Sequence, residues 1–123
     1  MEKIKSVEEI ITQTPIIMGY WGDKKDIAKD FREDRIENIN ILFACYSDPV
    51  GYSGYAFVLF EEGGKLYEVH GSHCSCYGLE DQWSDKEELC LPQLLKVLLE
   101  EDEYSIPTEF RECREELLAF ITK

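Results

Sequence analysis

Residues 55–71 read YAFVLFEEGGKLYEVHG. Two runs rich in aromatic and β-forming residues flank a Gly-Gly pair. A two-residue Gly-Gly loop favours a tight antiparallel hairpin, because glycine reaches positive φ without steric cost. This feature constrains the fold most strongly, since the loop also fixes the register. Glu62 faces Lys65, Phe60 faces Tyr67, Val58 faces Val69 and Ala56 faces Gly71. Opposed residues share a sheet face, so this face is apolar or small and should meet helices. The other face pairs Leu59 with Glu68, Phe57 with His70 and Tyr55 with Ser72. It mixes aromatics with a carboxylate and an imidazole, as surfaces that meet a partner or a second copy of the chain often do. Tyr55 and Phe57 are therefore candidate contact residues. The competing arrangement covers this face with the loop 14–22.

The rest of the chain arranges helices around that hairpin. Ser6-x-x-Glu9 is a capping box that opens a short helix ended by Pro15. IIMGYWG follows as an apolar loop that must pack on something. Asp23 caps a second helix, DKKDIAKDFRED, with a thin apolar face. NINILFACYS reads as a strand, and Asp48-Pro49-Val50-Gly51 has the type I turn pattern. Ser84-x-x-Glu87 starts one helical turn. A helix then runs from Leu91 or Pro92 to about Glu100. The last helix starts near Pro107 and places Phe110, Cys113, Leu117, Phe120 and Ile121 on one stripe. The expected fold class is α+β, with a three-stranded antiparallel meander packed against about four helices. The 123 residues suffice for a single domain, 1–123, with a real core.

Charge narrows the function. Twenty-six acids face thirteen bases, for a net charge of −13. So acidic a chain repels nucleic acid and favours basic partners. No apolar run approaches membrane-spanning length, and nothing near Met1 reads as a signal peptide, so a cytoplasmic setting is expected. Five cysteines, an odd number, argue against a disulfide framework; several should fill the core as small hydrophobes. Glu100, Glu101, Asp102 and Glu103 follow a helix C-terminus, where negative charge is locally unfavourable by roughly 0.3–1 kcal/mol per charge at most. Their retention there points to a partner surface, which Glu109, Glu112, Glu115 and Glu116 extend along the last helix.

The segment EVHGSHCSCYGLEDQW, residues 68–83, concentrates two histidines and two cysteines. His70, His73, Cys74 and Cys76 supply zinc-type ligands, yet one compact cluster does not match the paired Cys-x2–4-Cys knuckles of structural zinc sites. Cys74 or Cys76 with His70 or His73 supplies parts of a nucleophile–base pair, without the required geometry. The third reading is structural: Gly71, Ser72, Ser75 and Gly78 suit a corner that closes the sheet. No complete catalytic set is visible, so a non-enzymatic protein without a cofactor is expected, with zinc as the alternative.

The run AFVLFEEGGKLYEVHGSHCSCYGLEDQW resembles the core of a family of small phage and prophage proteins, over about residues 41–88. The shared pattern joins AFVLF, a Gly-Lys-Leu-Tyr-Glu-Val hairpin, Gly-Ser-His-Cys-Ser-Cys-Tyr-Gly-Leu-Glu and Gln-Trp. The resemblance carries no catalytic residue with it. This chain has His70 where the family pattern has asparagine, which removes His70 from any shared metal-ligand set. The resemblance implies a phage-like setting. By analogy, it implies a small acidic binding protein that inhibits or modulates a basic host or defence protein such as a CRISPR or restriction nuclease. The mixed sheet face is where a homodimer would form. The second class is a small-ligand or metal-binding module using Tyr55, Phe57, Glu68, His70 and the cysteines.

Overall fold

The computed structural model of the protein describes residues 3–47, 53–74, 78–80, 82–83, 86–100 and 108–123. Its hairpin takes the register that the glycines dictate. Gly63 and Gly64 adopt φ of 60° and 82°, the two positive values that a type I′ turn demands. They join β3 (Ser53–Glu62) to β4 (Lys65–Cys74). Glu62 pairs with Lys65, Phe60 with Tyr67, Val58 with Val69, Phe57 with His70 and Tyr55 with Ser72.

The sheet is larger than a meander. Among the described residues it has five strands in the order β1-β2-β3-β4-β5. The run NILFACYS forms β2 (Asn40–Ser47), antiparallel to β3. The expected apolar loop is instead a strand: Ile16–Gly19 forms β1, parallel to β2. Parallel neighbours need a crossover, and α2 (Lys24–Phe31) with the 3-10 helix Asp34–Asn38 supplies it. The expected helical turn at 84–87 begins outside the described residues, at 84–85, and its end is a strand. Glu87–Glu88 forms β5 against Tyr67 and Glu68 of β4. The Asp48-Pro49-Val50-Gly51 turn lies outside the described residues.

Five α-helices are described where about four were expected. α1 (Val7–Ile11) has the Ser6–Glu9 capping box, and α2 has its counterpart between Asp23 and Asp26. α3 (Leu91–Leu98) begins with Pro92 in its first turn, where a missing N–H costs nothing. The last helical stretch is broken into α4 (Thr108–Arg111) and α5 (Arg114–Ile121). Its predicted stripe is nevertheless buried throughout.

Helical elements cover both faces of the sheet. On one side Ile27 and Phe31 of α2, with Trp21, Leu79 and Trp83, pack on Ala56, Val58, Phe60 and Val69. On the other, α1, α3, α4 and α5 pack on Phe43, Cys45, Phe57 and Leu59. The mixed face is thus covered by helices and not by residues 14–22. Phe57 has no exposed surface, so it is unavailable to a partner. A phenyl ring gains roughly 1.5–3 kcal/mol from full burial, which favours this coverage over an exposed patch.

The register also decides what happens on β2. A bulge between Ile41 and Phe43 sends Leu42 and Phe43 to the same cluster, while Ile41 packs on the opposite one. At the outer edge of β4, one side chain does the work of a strand. The Gln82 amide accepts from Ser72 N–H at 2.8 Å and donates to the carbonyls of Ser72 at 2.6 Å and Gly78 at 2.8 Å.

Gly19 sits at the tightest point between β1 and β2. Its φ is 76°, and a Cβ there would lie 2.4 Å from the Tyr46 carbonyl oxygen. Gly19→Ala should therefore lower unfolding free energy by roughly 2–4 kcal/mol, through strain and overpacking together. Gly64 has nothing within 4 Å of the same position, so Gly64→Ala should cost only about 1–2 kcal/mol, the left-handed backbone penalty. Urea unfolding of both variants checks the difference. Equal losses would show that the approach to Tyr46 is not what requires a glycine.

Candidate functional site

Alternation along β4 places Glu68 and His70 on one face, two residues apart. α4 brings Glu109 to the same point from the far end of the chain. The His70 ring is held between the two carboxylates: Nδ1–H donates to Glu109 Oε2 at 2.6 Å, and Nε2–H donates to Glu68 Oε1. Two carboxylate acceptors require both ring nitrogens to carry protons, so the arrangement is an imidazolium between two anions. Phe57 and Phe110 frame the ring, with centroids 5.2 and 5.7 Å away. Phe110 in turn packs edge-on against Phe57 at 4.8 Å.

Three effects set the charge. Partial burial is the largest and opposes ionisation of His70, whose side chain keeps 39% of its surface exposed. The hydrogen bonds and charges of Glu109 and Glu68 together outweigh it, so the imidazole is pushed up to about 9. Glu109 moves the other way: burial is the largest effect and raises its carboxyl, but the hydrogen bond from His70, a backbone hydrogen bond and the His70 charge together outweigh it and leave it below the ordinary carboxylate range.

A cavity of about 330 Å3 opens beside this triad, between β4–β5 and α3. Glu68, Glu87 and Glu88 line its sheet side, and Leu94, Val97 and Phe110 form an apolar wall. Cys90, the residue before α3, also reaches it. The other two described thiols are core residues. Cys45 and Cys113 are fully buried and hydrogen-bonded to each other; this bond, and then burial, push the Cys113 thiol far up.

The sequence candidates distribute unevenly over this geometry. His70 is at the centre. His73 and Cys74 lie on β4 with side chains outside the described part, and Cys76 lies outside the described residues. No group of three or more His, Cys, Asp or Glu side chains poised for a metal ion occurs among the described residues. Glu109 is not an open surface charge, being 18% exposed and paired with His70. Tyr55 is half-buried, while Glu100, Glu112 and Glu116 are exposed. Glu101, Asp102 and Glu103 lie outside the described residues. The C-terminus of α3 is not left to negative charge alone. Arg114 donates to the carbonyls of Leu98 at 2.5 Å and Glu100 at 3.0 Å, which offsets the local cost expected there.

Sequence reasoning missed the Glu109 partner and the wall from α3, because both depend on how α3 and α4 pack. The Glu68–His70 half of the triad was accessible, since residues i and i+2 of a strand share a face. The chain matches no family model, no curated protein and no solved structure. No described helix is long and apolar enough to cross a membrane.

The triad gives the protein a characteristic pH response. His70 is raised above its ordinary value of 6.5, so its ion pairs contribute fully below pH 6.5, and the contribution is lost as pH rises through about 9. Glu109 is lowered from 4.5, so its share is present above pH 4.5 and lost on acidification. His70→Asn should cost roughly 1 kcal/mol near neutrality, solvent screening the exposed part of the pair. The variant should also lack the wild-type decline in stability between pH 7 and pH 10. Urea midpoints against pH, with NMR titration of the His70 ring, check this. A ring that titrates at or below 6.5 would rule out the clamp.

Proposed function

We propose that the chain is a small acidic binding protein of phage type. It engages a basic nucleic-acid-handling protein of the host or its defences, such as a CRISPR or restriction nuclease, and inhibits or modulates it. One observation carries the reading. Glu87, Glu88, Glu100, Glu112, Glu115 and Glu116 are all exposed, and none forms an ion pair among the described residues. They lie on β5 and on or beside the helices α3, α4 and α5. Unpaired exposed charge adds little to stability, but it steers encounters with a partner of opposite sign and disfavours partners of like sign.

A second reading, a zinc or small-ligand module built on His70, His73, Cys74 and Cys76, has less support. Both ring nitrogens of His70 are engaged by carboxylates, and one would have to be given up to bind a metal.

Affinity capture from the host, followed by a cleavage assay with the captured nuclease, tests the proposal. The chain should bind it at one-to-one stoichiometry and suppress cleavage. Glu100→Lys/Glu112→Lys/Glu116→Lys should weaken binding by about tenfold or more at low salt, with its melting temperature little changed. Cleavage unaffected by excess chain, or equal affinity of the triple variant, would overturn the proposal.

A further inference from the structure

We propose that the groove between β4–β5 and α3 is an anchor site for an arginine side chain of a basic protein partner. This deepens the preceding reading and rests on it.

The groove has two chemically distinct sides. Leu94, Val97 and Phe110 offer an apolar wall, while Glu68 and Glu87, paired across β4 and β5, face it from the sheet. Glu109, bonded to His70, adds a third carboxylate, and among the described residues His70 is the cation bonded into the group. Three carboxylates and one imidazolium leave a formal charge of −2. The nearest lysine in sequence, Lys86, is turned to Glu62 at 3.0 Å.

An arginine side chain complements both sides. Its methylene stem buries well on apolar surface while the head stays with charge. Its guanidinium is weakly hydrated and presents a fork of donors to carboxylates. A lysine ammonium is a more strongly hydrated point charge and matches a half-apolar groove less well. Anions are repelled. A second copy of the chain brings its own charge of −13, which opposes self-docking here.

The two outer positions allow a test that leaves the core alone. Gln93 lines the groove from an exposed position on α3, and Glu87 is exposed on β5 opposite Glu68. The full chain, labelled with 15N and methyl 13C, is titrated at low salt with a hexa-arginine peptide, a hexa-lysine peptide, a hexa-citrulline peptide and spermine. Hexa-arginine should bind and shift the Leu94 and Val97 methyls and the Phe110 ring. Hexa-lysine should bind several-fold more weakly, and citrulline, the neutral isostere, should not bind. Gln93→Lys/Glu87→Gln should reduce hexa-arginine affinity by about tenfold, and Glu112→Lys/Glu116→Lys should reduce it less. If hexa-arginine binds but its shifts fall on α5 and the groove variant binds as well as wild type, the anchor site is overturned while the basic-partner reading stands. Equal binding by hexa-lysine or spermine in the groove overturns the arginine assignment. Self-association abolished by the groove variant would assign the groove to a second copy instead. If no basic probe binds anywhere, both proposals fall.

Discussion

The turn at Gly63–Gly64 is the constraint on which the rest depends. Side chains alternate along β3 and β4, so a slip of one residue would exchange their two faces. Phe57 and Leu59 would then leave the core under α4 and α5, and Val58 and Phe60 would leave the core under α2 and Trp83. The turn forbids that slip because both of its central residues need positive φ, and both are glycine. The position of His70 opposite Phe57 is a direct consequence.

The hairpin register was legible to the residue because a two-residue loop leaves no freedom in pairing, while β4 runs on through the expected corner at Gly71 and Ser72 to Cys74. Helix starts at Ser6 and Asp23 were legible because their caps are local hydrogen bonds. The outer strands were not. Ile16–Gly19 is too short to show a period, and it is a strand because β2 lies beside it. Glu87–Glu88 has a composition that suits a helix, and pairing with β4 overrides it. One signal went unused. ILFACY in β2 is apolar without alternation, the pattern of a strand buried on both faces. That run announces helices on both sides of the sheet and predicts that Phe57 is covered.

The candidate site follows the same division. Glu68 and His70 are set by strand parity alone. Glu109, Leu94 and Val97 reach the site through long-range packing, for which spacing gives no sign. The acidic character of the surface was readable from composition, while the counter-charge at the end of α3 was not. Arg114 precedes two glutamates in an acidic helix, and nothing in the sequence says that its guanidinium turns back to the carbonyls of Leu98 and Glu100.

The Gln82 amide has a meaning beyond local bonding. Sheet edges attract other strands, and long unpaired edges are where chains join and grow into aggregates. At Ser72 the hydrogen-bonding groups of β4 are already occupied by a side chain that mimics the next strand and then stops. A strand arriving from another molecule finds no template at that point. At Ser72 the edge is closed by a group too small to be extended.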